Sequence, residues 1–138
     1  MTEVEKKDKR KAVLDEKRHV SSRISDLSRY MGFGLVAVVY TILTSNSRLV
    51  MSIYTNYSGW LLGVAVLGII TIISDYLQFL AGYVNVQNAL RNEVGNFEYD
   101  DKSLSYWFRN FAFKLKQITA LLGALILICV IAKSAFFT

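Results

Sequence analysis

One carboxylate stands out for where it lies. Asp75 sits inside the run Gly59 to Tyr83, GWLLGVAVLGIITIISDYLQFLAGY, and shares a helical face with Gly68, Thr71, Gln78 and Gly82, which recur at spacings of 3, 4, 3 and 4. The other faces are nearly all Leu, Ile and Val. An ionisable group at membrane depth costs roughly 3 kcal/mol on insertion scales, so it must face protein or water rather than lipid. Two uses fit such a seam. It can pack against the chain's other membrane helices with Asp75 hydrogen-bonded or neutral, or it can line a pore and handle protons or ions. Arg29 is a candidate partner, provided its side chain reaches inward from the membrane interface. The polar stripe continues through Asn85, Ala89, Asn92 and Asn96, where polar residues are expected once the helix leaves the lipid.

Little else in the chain points to chemistry. No nucleophile, base and acid set, no phosphate-cradling glycine loop and no metal cluster can be assembled from the single histidine, His19, and the single cysteine, Cys129. His19 flanks an apolar stripe and reads as solvated or interfacial. Glu98, Asp100 and Asp101 read as a solvated turn that caps the following helix. No catalytic residue, metal or cofactor is expected, and the chain is not expected to be an enzyme.

The elements that must position Asp75 follow from length and hydropathy. The 25 residues from Gly59 to Tyr83 would run roughly 37 Å as a helix, enough to cross a ~30 Å hydrocarbon core with some tilt. A first span is expected at about 29–47 and a third at about 115–137, beside the second at 59–83. Hydrophobic residues make up 53% of the 138, which leaves no room for a soluble domain of ordinary size. Proline is absent, so long unbroken helices are allowed. The sequence therefore predicts an all-α polytopic membrane protein: a charged tail and helix over 1–29, then a three-helix membrane domain over 30–138 with a helical loop at 84–114.

Basic residues set the expected orientation. Residues 1–29 hold nine Lys and Arg and the 84–116 stretch holds five, against Arg48 alone between 44 and 58. The positive-inside pattern places the N terminus and the 84–114 loop in the cytoplasm and the C terminus outside. Arg29, Tyr30 and Trp60 read as interfacial anchors, as do Trp107 and Phe111 in SLSYWFRNFAFKLK. Aromatic residues interleaved with Arg109, Lys114 and Lys116 can stack on single-stranded nucleic acid, but directly before a span they read better as an interfacial helix. No nucleic-acid partner is expected.

Small residues suggest how the helices meet. Gly34, Ala37, Thr41 and Thr44 form a mildly polar face on the first span that is expected to meet the seam of the second. Gly59 and Gly63, and Gly123 and Ala124 in the third span, permit close packing in the same way. Residues 44–59 are expected to be a short outer connection, in which Asn56 to Ser58 matches a glycosylation sequon. In the cytoplasm, Val13, Val20, Ile24, Leu27 and Met31 form one apolar stripe and Tyr83, Val86, Leu90 and Val94 another, ending near Gly95 and Asn96. These stripes are expected to build a small helical bundle beneath the membrane.

The layout of a charged helix running into a span at 12–47, a short outer loop, and a return span prolonged as a helix at 60–96 resembles the SLATT-like effectors of bacterial defence systems. That resemblance implies an inner-membrane protein that forms pores on a signal from an associated sensor and arrests or kills the infected cell. Self-association would cover the seam, and a ring of subunits would turn it inward as a pore. The leading expectation is thus a homo-oligomer that permeabilises or conducts across the bilayer, with Thr71, Asp75 and Gln78 facing the pathway and the cytoplasmic helices receiving a trigger. Its rival is a non-conducting accessory or scaffold subunit whose seam binds a larger membrane partner.

Overall fold

The structure, a computed structural model, describes residues 3–91 and 104–137. Within them the chain is helical except at Ser45 to Ser47, and it contains no strand. Helix α1 covers Glu3–Thr44, α2 covers Arg48–Arg91 and α3 covers Leu104–Phe137, 42, 44 and 34 residues respectively. Each is long and apolar enough to cross a membrane, as a multi-pass membrane protein requires.

The connection between α1 and α2 is far shorter than the expected 44–59 loop. The Ser45 amide donates to the Thr41 carbonyl at 3.1 Å, closing α1, and the Val50 amide donates to Ser47 Oγ at 3.4 Å, capping α2. Between Arg48 and Tyr57 the polar residues that suggest a loop bond their own helix instead. Thr55 Oγ1 donates to the Met51 carbonyl at 2.9 Å, and Asn56 Nδ2 donates to that of Ser52 at 3.0 Å. The turn character survives as a kink at Tyr57, whose φ of −132° and ψ of 20° leave the helical region.

The bundle interior has two unlike halves. Toward the α1–α2 connection it is aliphatic, with Leu35, Val39, Ile42, Leu61, Val64, Leu127 and Val130 buried together. Toward the opposite end most of the buried side chains are polar, Ser25, Ser28, Thr71, Ser74, Asp75, Asn85, Lys116 and Thr119, with Ala81 and Ala112 among them. Between the halves α1 and α2 come closest at Gly32 and Gly68. A Cβ on Gly68 would lie 2.9 Å from the Gly32 carbonyl oxygen, so this crossing exists because both side chains are absent.

Beyond the polar half α1 stands alone. Every side chain described from Glu3 to Val20 is exposed, and the apolar stripe at Val13, Val20 and Leu27 is 64%, 47% and 61% exposed. The expected bundle beneath the membrane is therefore not formed by α1. Its apolar positions are too thinly spread among charges to bury a continuous face. Among the described residues α2 and α3 approach one another there, around a groove lined by Leu80, Ala81, Val84, Leu104, Ser105 and Phe108. Asn92, the expected helix end at Gly95 and Asn96, and the acidic turn with Glu98, Asp100 and Asp101 lie outside the described residues.

Candidate functional site

Asp75 is the centre of a charged cluster to which all three helices contribute. Its Oδ2 accepts from Arg29 Nε of α1 at 2.6 Å. Its Oδ1 accepts from Lys116 Nζ of α3 at 2.5 Å and from Ser25 Oγ of α1 at 3.2 Å. Lys116 Nζ also donates to Ser25 Oγ at 2.5 Å, which closes a triangle of serine, carboxylate and ammonium. Charge-assisted bonds are stronger than neutral ones, and for the buried Asp75 and Lys116 they replace hydration that each charge has lost.

Access to the cluster is lopsided. The Lys116 side chain is fully buried, and that of Asp75 is 7% exposed, whereas Arg29 keeps 33% of its side-chain surface open. From that open side Arg29 also reaches the half-exposed Asp26, with Nη1 3.8 Å from the carboxylate. Its guanidinium lies over the Phe79 ring at 5.3 Å, and Lys116 Nζ lies 5.5 Å from the Phe113 ring. Two cations thus face one buried and one half-exposed anion, so charge balances only when Asp26 is included.

One turn toward the aliphatic half, Thr71 and Thr119 join α2 to α3 through their hydroxyls at 2.8 Å. Each hydroxyl also lies within bonding distance of its own helix, of the Leu67 carbonyl at 2.8 Å and the Leu115 carbonyl at 3.0 Å respectively. One threonine donates across the interface while the other donates to its own backbone, so both are satisfied. Near the cluster, Gln78 Oε1 and Gln117 Nε2 are buried without a hydrogen-bond partner.

The seam read from the sequence is thus placed residue by residue. Gly68, Thr71 and Asp75 are buried, while Gln78 and Gly82 are half-buried. A Cβ on Gly82 would lie 3.9 Å from Arg109 Cδ. These residues face the chain's own α1 and α3. Arg29, expected as an interfacial anchor, reaches inward to Asp75.

The small-residue face of α1 needs correction. Gly34, Ala37, Thr41 and Thr44 are exposed and do not meet α2, and a Cβ on Gly34 would touch nothing within 4 Å. Thr41 and Thr44 spend their hydroxyls on the carbonyls of Ala37 and Tyr40, both at 2.9 Å. The face that meets α2 is Ser25, Ser28, Gly32, Leu35, Val39 and Ile42, rotated away from the expected one because it alone carries both the cluster serine and the glycine of the crossing. Gly59 and Gly63 are likewise exposed with no neighbour within 4 Å. Gly123 is buried against Leu35 and Leu67, and Ala124 packs on the aliphatic core. Tyr30, Trp60, Trp107 and Phe111 all point outward, the last two stacked with ring centroids 5.6 Å apart.

Sequence reasoning missed Lys116 as a member of the site, having grouped it with the interfacial aromatic stretch. A signal was present. Ala112, Lys116, Ala120, Gly123, Leu127 and Val130 recur at spacings of 4, 4, 3, 4 and 3 and, with Thr119 beside Ala120, form the buried face of α3. Among the described residues no group of acids, His and Cys is placed to hold a metal ion. Comparison of the chain with known protein families, characterised proteins and solved structures gives no match.

Proposed function

We propose that this is a small integral membrane protein that permeabilises the bilayer, or conducts across it, as an oligomer, and that the three-helix arrangement is its closed form. The observation that carries this reading is the cluster of Arg29, Asp75 and Lys116. Ionisable groups within membrane helices are costly and by default mark ion pathways, proton relays or gating elements, and a buried ion pair is weak evidence of a stabilising role because an apolar core of equal volume is commonly as stable. In the closed form the cluster's charges satisfy one another. Parting the helices exposes two cations, an anion and the threonine pair, which is the lining a water-filled path requires. The positive-inside distribution supports a cytoplasmic N terminus and an outer C terminus. Together with the SLATT-like layout, it favours a bacterial inner-membrane effector of antiphage defence, with α1 taking the trigger.

A second reading is a non-conducting accessory or scaffold subunit. It draws on Gly34, Ala37, Thr41 and Thr44, which lie open on the outer face of α1 and suit close contact with a helix of another membrane protein.

The discriminating experiment is membrane potential and dye entry in cells expressing the wild type or Asp75→Asn at matched levels. The conducting reading expects depolarisation that the substitution changes in size or ion selectivity. Intact membranes for both proteins under strong expression, with or without the trigger, would leave the scaffold reading.

A further inference from the structure

The cluster is built unequally, and the inequality names the helix that moves. Asp75 belongs to α2 and Lys116 to α3, and the same two helices are joined again through Thr71 and Thr119. Lys116 is wholly enclosed. The α1 donors, Ser25 and Arg29, approach from the side on which Arg29 is one third exposed. On the arm side of these donors, α1 has every described side chain from Glu3 to Val20 exposed, so no packing holds that segment in place. On the other side it touches α2 backbone to backbone at Gly32 and Gly68, and beyond that crossing Leu35, Val39 and Ile42 are buried with Leu61 and Val64 of α2, up to the short connection at Ser45 to Ser47.

We propose that α1 is a lever with its fulcrum at the Gly32–Gly68 crossing, and that displacement of its exposed arm withdraws Ser25 and Arg29 from Asp75 while Lys116 stays. This rests on the conducting reading as the use to which the movement is put. The crossing seats Val36 and Leu35 beside Gly68, and Thr71 and Ile72 beside Gly32, so α1 is held from this point to its aliphatic end while the unpacked arm before it is free to swing about the glycine. Ser25 lies about 10 Å from Gly32 along the helix and Lys11 about 31 Å, so a shift of about 2 Å at Ser25, enough to break its bonds, corresponds to about 6 Å at Lys11. A force applied far out on the arm is thereby multiplied roughly threefold at the serine. Asp26 lies on the exposed side of Arg29 and is its alternative partner at 3.8 Å, so the arginine does not leave Asp75 without a counter-charge.

The test uses full-length protein in lipid vesicles with Cys129→Ser and pairs of spin labels. One pair, Lys11→Cys with Gln87→Cys, reads α1 against α2, and another, Gln87→Cys with Asn110→Cys, reads α2 against α3. Arg29→Gln is expected to shift or broaden the first distance by about 6 Å and to leave the second within about 2 Å, whereas Arg29→Lys keeps the wild-type distances. An arm that does not move in Arg29→Gln, or an α2–α3 distance that moves as much as the arm, overturns the lever. Dye release from the same vesicles separates the two ideas: a moved arm without release supports the lever and overturns the conducting reading, and release with an unmoved arm does the reverse.

Discussion

Lys116 Nζ and Asp75 Oδ1 lie 2.5 Å apart, the lysine entirely enclosed by protein, and this pair joins α3 to α2 in the middle of the polar half of the bundle. Its worth is conditional. A buried pair is costly to assemble and far costlier to break one-sidedly, because the partner left behind is an uncompensated charge in a dry interior.

Lys116→Met removes one of three donors to Asp75 and leaves Arg29 and Ser25 in place, so it should destabilise the bundle by about 1–3 kcal/mol, and Asp75→Asn added to it should cost less than Asp75→Asn alone. Unfolding of the single and double variants in mixed micelles measures this. Strict additivity of the two substitutions would show that the pair is not coupled.

The glycines should separate by position. In Gly68→Ala the new methyl meets the Gly32 carbonyl oxygen at 2.9 Å and Val36 Cγ2 at 3.0 Å, so α1 and α2 must be pushed apart. In Gly123→Ala it meets the end of the Leu35 side chain at 2.6 Å, which can rotate away. Gly63→Ala meets nothing within 4 Å and should be neutral or stabilising by up to about 1 kcal/mol from helix propensity. Unfolding curves should rank Gly68→Ala as the worst of the three, and equal losses at 63 and 68 would refute the crossing.

Replacing one threonine of the α2–α3 pair, Thr71→Val, should cost about 1 kcal/mol, and Thr119→Val a similar amount, while the double variant should lose less than the sum. A double-mutant cycle with no coupling energy would mean that the hydroxyls serve only their own helices.

Deleting residues 1–20 should leave the unfolding of the remaining bundle within about 0.5 kcal/mol, because none of the described side chains from Glu3 to Val20 is buried. A larger loss would place the arm against the bundle. If the arm carries the trigger, the same truncation abolishes the triggered response.

The helices were legible in the sequence because hydropathy and the absence of proline act along one segment at a time. The seam from Gly68 to Asp75 was legible for the same reason, since periodicity finds a polar face without knowing what it meets. Which face of α1 turns inward was not. Gly34 begins one small-residue stripe and Gly32 ends another, Ser25, Ser28 and Gly32, and the choice depends on Asp75 drawing in Ser25 and Arg29, a relation between helices that no periodicity within α1 records. Lys116 escaped because its neighbours in sequence, Phe113 and Lys114, suggest an interface, whereas its neighbours in space are Asp75 and Ser25. The segment Arg48 to Tyr57 reads as a loop because Ser, Thr and Asn favour turns, and it is helical because side chains such as Thr55 and Asn56 bond back to their own helix.

The enclosed lysine also bears on biogenesis. Lys116 lies at the start of the apolar stretch of α3, where in a lone helix its ammonium can snorkel toward the interface, yet in the bundle it is drawn wholly inside. Synthesis runs from the N terminus, so α1 and α2 emerge first and the carboxylate of Asp75, already beside Arg29, awaits the lysine. The third helix can thus enter the membrane by itself but finds its place in the bundle only once that carboxylate is there, and α3 expressed alone should integrate with Lys116 open to an amine reagent that does not reach it in the full chain.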